Sequence, residues 1–278
     1  MDVTILGAGR MGSAMALRLL DTAHQVTVWN RDHDRLTPLA AAGAVVATDI
    51  ADAVAGADVV ITMLTDGAAA DSVAARLLPA MPAAAVWVQA STVGAEWADR
   101  LRGLADEHGR TMLDAPVSGS TGPARTGTLT WLVAGPDQAV ERVRPVLDVL
   151  GQRVFHVGAR QEASRLKLIV NAWMTAATVA MADALRASDT LGVPRARLLD
   201  VLSGGPLAMP YALQKAQLMT SGDYRPQFPI ELALKDIRLI EQVDAPASAL
   251  VRELDRRLTV ASAAGHAHDD VAAVATID

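Results

Sequence analysis

Residues 3–31 read VTILGAGRMGSAMALRLLDTAHQVTVWNR, and this stretch decides the fold. A short apolar run, Val3 to Leu6, ends at glycine, as a buried parallel strand does. Gly7, Gly9 and Gly12 follow at G-x-G-x-x-G spacing and lead into a helical pattern of Met15, Leu19 and Leu20. A second apolar run, Val26 to Trp29, reads as the returning strand of a βαβ unit. In this context Gly7 permits a tight turn, Gly9 leaves room for a pyrophosphate and Gly12 lets helix and strand pack closely. The turn Gly7, Ala8, Gly9, Arg10, Met11, Gly12 therefore predicts a dinucleotide site, with phosphates at the positive end of the helix.

The end of the second strand bears on which dinucleotide. An NAD-type site carries Asp or Glu about 20 residues on, to bind the ribose 2′-OH. Here the position holds Asn30, which brings no charge against a 2′-phosphate, followed by Arg31, whose planar fork suits one. Asp32 follows at once. The expectation is NADP, with NAD possible.

The pattern outward from this unit is strand alternating with helix as far as residue 114: strands at 45–46, 59–64, 86–89 and 111–114, with helices at 34–42, 50–57, 71–78 and 95–107 between them. That alternation predicts an α/β, Rossmann-type, doubly wound and mainly parallel sheet. Residues 114–135, DAPVSGSTGPARTGTLTWLVAG, are instead a Gly/Ser/Thr/Pro-rich loop running into a strand from Thr128. A helix at 136–150 and a strand at 153–157 close the first half. Residues 161–191 contain neither glycine nor proline and predict one long helix, with Gly192 and Pro194 as its stop. Helical segments alone follow. The chain thus divides into a dinucleotide-binding domain, 1–160, and an all-helical domain, 161–278, joined by the long helix.

Composition narrows the classes. The chain has 278 residues, 51% hydrophobic and 20% charged, enough for a sizeable core. Its net charge of −6 and the lack of a basic block argue against nucleic acid and anionic membranes as partners. It contains no cysteine, which excludes thiolate chemistry and fits a cytoplasmic protein. Lysines are few: Lys167, Lys215 and Lys235, against 22 arginines. An amine, unlike guanidinium, can be tuned to exchange a proton near neutral pH.

Lys167 and Asn171 lie four apart in the long helix, on one face, as polar exceptions in an apolar run. The loop at 114–135 follows a strand's C-terminal end, where ligands of open α/β sheets collect. There Ser118 offers a hydroxyl, and Gly119 and Ser120 offer backbone N–H groups suited to a carboxylate. His266 and His268 with Asp269 and Asp270 lack a further ligand cluster; a solvated tail is expected there rather than a metal site.

With these residues in hand, the chain resembles the β-hydroxyacid dehydrogenases, the group containing 3-hydroxyisobutyrate dehydrogenase and the glyoxylate/succinic semialdehyde reductases. The resemblance runs through GAGRMGSAMALRLL, the MLTD and QASTV turns, DAPVSGSTGPARTGTL, the Lys167/Asn171 pair, LALKDIRL around Lys235 and the closing GHAHDDVAAV. It implies that Lys167 is the catalytic lysine, exchanging a proton with the substrate oxygen, and that Asn171 orients it. It implies a small carboxylate substrate held by Ser118, Gly119 and Ser120. It also places Met63, Leu64, Thr65 and Thr92 along the cofactor, with Lys235 near the nicotinamide end. A reversible reduction of an aldehyde or keto acid to a β-hydroxy acid follows, and the apolar length of the long helix suggests a homodimer or higher homo-oligomer. The chain departs from the family at Ser120, where a second glycine is usual, at Gln161 and Ala163, where glycines are expected, and at Ala172-Trp173. Trp173 and Trp131 are each either part of the substrate cavity or core. The alternatives are an imine reductase, which commonly has Asp or Tyr at the position of Lys167, and a non-catalytic NADP-binding regulatory protein.

Overall fold

The computed structural model describes residues 1–243 and 247–277. They divide into two compact units, Met1–Lys167 and Leu168–Asp278.

The first unit holds nine strands: β1 (Asp2–Leu6), β2 (Gln25–Trp29), β3 (Val45–Val46), β4 (Val59–Thr62), β5 (Val86–Gln89), β6 (Thr111–Asp114), β7 (Val117–Ser118), β8 (Leu129–Ala134) and β9 (Gly151–Gly158). They form one sheet in the order β3-β2-β1-β4-β5-β6-β8-β7, with β9 beside β8. β1 to β6 run parallel; β8 is antiparallel to β6 and β7, and β9 is parallel to β8. The interleaved helices are α1 (Arg10–Leu20), α2 (Thr37–Ala41), α3 (Ile50–Val54), α4 (Gly67–Ala80), α5 (Ala95–Glu107), α6 (Thr121–Thr126) and α7 (Asp137–Leu150).

The strands are apolar on both faces because helices cover both. Val3, Ile5, Val28, Ile61, Val88 and Leu113 belong to one buried cluster, with Met15, Leu19 and Leu147. Their neighbours Leu6, Trp29, Val60, Trp87 and Met112 belong to the other, with Leu77 and Leu101. Successive residues alternate between the clusters, as the pleat requires. The chain builds outward from β1 to β3, then returns to start β4 on the other side of β1. The crevice beyond the C-terminal ends of β1 and β4 is the switch point of the sheet.

The structure amends several sequence expectations in this unit: the helix expected at 50–57 ends at Val54, and the strand expected at 59–64 ends at Thr62. Residues 34–42 are not one helix: a 3-10 turn, His33–Leu36, precedes α2, whose Pro38 sits in the first turn, where a missing N–H costs nothing. Helix α4 starts earlier than the expected 71, at Gly67, because Asp66 caps it by accepting from Ala69 N at 2.8 Å. The loop at 114–135 contains β7 and α6, elements too short to show a period.

Helix α8 (Glu162–Thr190) follows, 29 residues long. It is long and apolar enough to cross a membrane by length and composition. Its buried side nonetheless carries Asn171, Thr175, Thr178 and Ser188, as a core helix does. In the second unit it is joined by α9 (Arg195–Leu202), α10 (Pro210–Ser221), α11 (Ile230–Val243) and α12 (Ala249–Ala261). Val179, Leu185, Ala216, Ile230, Ile237, Leu254 and Leu258 form their core.

The C-terminal segment is not a solvated tail. Gly265 (φ +101°) turns the chain back, and Val271, Ala272, Ala273 and Val274 are buried in the helical core. Asp270 fixes this return. Its buried carboxylate takes Lys215 Nζ at 2.7 and 3.0 Å and the amides of Gln227, Phe228 and Ala272 at 3.0 Å each. His266 Nδ1 lies 2.7 Å from Asp269 and His268 Nδ1 3.1 Å from Glu231.

Candidate active site

The glycine turn between β1 and α1 separates packing from binding. Gly7 has φ +110°, and a Cβ there would meet the Met63 carbonyl oxygen at 2.3 Å. A Cβ on Gly12 would meet the Gly7 oxygen at 1.9 Å. Gly9 has nothing within 4 Å of its Cβ position, so its side of the turn is open. The first turn of α1 contains no acidic residue and no side-chain cap. An open glycine before an uncapped helix start fits a pyrophosphate.

Asn30, at the end of β2, braces this turn. Its Oδ1 accepts from Ala8 N at 3.1 Å and its Nδ2 donates to the Asp32 carbonyl at 2.8 Å. The Asp32 side chain is engaged locally: it accepts from Asp34 N at 3.3 Å and pairs with Arg35 at 3.2 Å. Arg31 is exposed beside them.

Across the switch point, Met63 N donates to Leu6 O at 3.0 Å, and Leu64 N to Ser91 Oγ at 2.9 Å. Thr65 Oγ1 donates to Asp66 at 3.0 Å, and Thr92 follows Ser91 at the end of β5. The turns carrying Gly7–Gly12, Asn30, Met63–Thr65 and Thr92 thus share one edge of the sheet. Gln89 and Ser91, both buried, belong to this edge too. The sequence reading passed over them, although a polar pair closing the apolar run Val86–Val88 was the available signal.

Ser118 ends β7. Gly119 has φ +132°, and a Cβ there would meet Leu129 at 2.7 Å, so glycine is required. Ser120 has φ −113°, ψ −168°, an ordinary extended conformation. Serine therefore replaces glycine there without backbone strain. At the head of this loop the buried Asp114 carboxylate accepts from Ser164 N at 2.7 Å and Ser164 Oγ at 2.5 Å, capping the start of α8. Burial pushes its pKa up to about 6, against the opposing Ser164 hydrogen bonds and the charges of Arg102 and Arg165.

One turn beyond Ser164, Lys167 is only 6% exposed. It does not snorkel to bulk water. Asn171 is buried one turn further; its Nδ2 donates to Asp236 Oδ2 at 2.5 Å, and its Oδ1 has no hydrogen-bond partner. Lys235 Nζ stands 3.1 Å from Asp236 Oδ1, an ion pair outside hydrogen-bond geometry. Gln161 and Ala163 are both buried at the head of α8. Of the two tryptophans, Trp131 is core, its Nε1 donating to Leu147 O at 3.1 Å, whereas Trp173 is 62% exposed and so is not core.

The NAD-binding domain of 6-phosphogluconate dehydrogenase matches residues 2–158, and the NAD-binding domain of NADP-dependent 3-hydroxyisobutyrate dehydrogenase matches residues 162–277. Glyoxylate/succinic semialdehyde reductase 1 of Arabidopsis thaliana is 34% identical over 270 residues, covering 96% of this chain and 91% of that one. The chain belongs to the β-hydroxyacid dehydrogenase family. Like its relatives, this family member is an NAD(P)-dependent oxidoreductase acting on a small molecule. A solved Mycobacterium tuberculosis 3-hydroxyisobutyrate dehydrogenase with L-serine superposes with a TM-score of 0.92 at 29% identity, covering 99% of this chain and 98% of that one. A Streptomyces aurantiacus imine reductase shares the fold at TM-score 0.70 and 23% identity, over 99% of each chain. The family uses a nicotinamide coenzyme, and the open Gly9 beside the uncapped start of α1 is the feature of this chain whose shape and chemistry suit its pyrophosphate.

Proposed function

We propose that the chain is an NADP-preferring dehydrogenase/reductase that interconverts a small β-hydroxy acid and its aldehyde or keto acid. The observation that carries this reading is the buried amine of Lys167 on α8, one turn from the buried Asn171. The coenzyme, when bound, supplies or accepts the hydride. Lys167 gives a proton to the carbonyl oxygen in reduction and takes one from the hydroxyl in oxidation. Asn171 is held with its amide toward Asp236, which leaves its oxygen to accept from the amine or the substrate hydroxyl. Ser118 and the amides of Gly119 and Ser120 hold the carboxylate, and Lys235 serves the nicotinamide end. Arg31 binds the 2′-phosphate; Asp32 does not oppose it, because its carboxylate is taken up by Asp34 N and Arg35.

The exposed Ile169 (63%) and Trp173 (62%), one turn apart on α8, support a homodimer through this helix. Steady-state assays test the proposal, using small β-hydroxy acids, semialdehydes and cyclic imines with NADPH and NADH in turn. A hydroxy acid or semialdehyde with NADPH should give the highest kcat/KM. Preference for an imine would replace the proposed activity with imine reduction, and preference for NADH would remove the role of Arg31.

A further inference from the structure

The ends of β4 and β5 are joined by a closed set of buried hydrogen bonds that no strand ladder requires. Gln89 and Thr62 have no exposed surface and Ser91 almost none. Gln89 Oε1 accepts from Ser91 N at 2.9 Å and from Thr62 Oγ1 at 3.3 Å, and Gln89 Nε2 donates to Ser91 O at 2.9 Å. Thr62 Oγ1 in turn accepts from Trp87 Nε1 at 3.0 Å. Ser91 Oγ donates to Thr62 O at 3.3 Å and accepts from Leu64 N at 2.9 Å.

The parallel register of the two strands ends at Thr62 opposite Gln89. Beyond that pair both chains turn away, and the Ser91 hydroxyl takes the place of the next ladder partner for Leu64 N. Burying an amide and two hydroxyls costs free energy unless all are satisfied, and apolar side chains would fill the same space without that risk. What the polar set achieves is geometric: it ties the turn at 62–65 and the turn at 89–92 into one piece.

A dinucleotide laid across the switch point has its pyrophosphate at the Gly7–Gly12 turn and its adenosine beside Asn30 and Arg31, on the β1 and β2 side. The β4 and β5 turns are left for the other half. We infer that Ser91, braced by Gln89 and Thr62, is a positioning residue that locks these two turns into a single platform for the nicotinamide half of the coenzyme. The inference rests on the coenzyme reading of this edge; it adds residues that lie beneath the surface the coenzyme meets.

Calorimetric titration separates the two halves. The ligands are the coenzyme that the wild-type protein binds more tightly and the corresponding ADP-ribose, with 2′-phosphate if that coenzyme is NADPH. Ser91→Ala should raise the coenzyme Kd about tenfold, because the part-buried Leu64 amide loses its partner and the two turns come apart. It should leave the ADP-ribose Kd within about twofold, since the adenosine side is untouched. Thr62→Val should act in the same direction, and Thr62→Ser, which keeps the hydroxyl, should retain the wild-type Kd for both ligands. Equal weakening of both ligands in Ser91→Ala would show a role in folding alone and overturn the inference. An unchanged coenzyme Kd would overturn it as well. A wild-type protein that binds no coenzyme would instead contradict the reading of the edge itself.

Discussion

The glycine turn of the first unit and the C-terminal return of the second solve the same problem, holding an irregular segment in place, by opposite means. The turn at Gly7–Gly12 relies on absent side chains: Gly7 and Gly12 sit where any Cβ would strike backbone. The return at 265–274 relies on a present one, with Asp270 gathering Lys215 and three backbone amides in the core. The first device leaves open space beside Gly9; the second fills its space and gathers its amides on Asp270. A segment built by omission keeps open space at Gly9, whereas one built on a buried charge is filled.

Substitutions sharpen that contrast. Gly12→Ala should have the largest effect. Its Cβ would lie 1.9 Å from the Gly7 backbone oxygen, which cannot swing aside as a side chain can, so the turn must shift. The variant should lose coenzyme binding and much of its stability in urea. Lys215→Met should cost about 3–5 kcal/mol in urea unfolding, because it leaves the Asp270 charge buried without its cation. Coenzyme affinity should be unchanged in that variant. A cost below about 1 kcal/mol would mean that the three amides alone satisfy Asp270.

Asp114 gives a smaller effect that depends on pH. Its pKa is about 6 in the folded chain and near the ordinary 3.8 when unfolded, so the folded state holds its proton more tightly. The stability it contributes is complete below pH 3.8 and is lost as pH rises through about 6. Asp114→Asn, uncharged throughout, should therefore gain on the wild type between pH 4 and pH 7.5, by about 3 kcal/mol at most. Melting curves at the two pH values would show it. A constant difference would mean that Asp114 is ionised throughout.

Smallest in stability, and the cleanest mirror of Gly12, is Gly9→Ala. Its Cβ meets nothing and its φ of −72° is one alanine adopts, so stability should change by no more than about 1 kcal/mol in either direction. Coenzyme affinity should nevertheless fall.

The same contrast explains what was legible in the sequence. The glycine turn, the parallel strands and the proline-free α8 follow rules of local spacing, and the strands read clearly because both their faces are apolar. Helix α5 was expected at the bounds it has, 95–107. Partnerships over long separations were not readable. Lys215 stood out by its rarity, but nothing in the sequence tied it to Asp270, 55 residues away, and the tail was misjudged for want of that link. Helix α6 and strand β7, six and two residues long, are too short for a period to repeat. Trp173 shows a further limit: aromatic bulk in an apolar helix indicates neither core nor cavity until the packing is known. Lys167 and Asn171 were visible as polar interruptions of α8, and burial at both positions is consistent with the roles proposed for them.

The central claim is that the Lys167 amine exchanges the proton with the substrate oxygen. Turnover of Lys167→Ala, measured with and without an added small primary amine, tests it most directly. The account predicts a loss of about 10²–10⁴-fold in kcat, partial recovery with the amine and a coenzyme Kd like that of the wild type. Wild-type turnover in Lys167→Ala would contradict it.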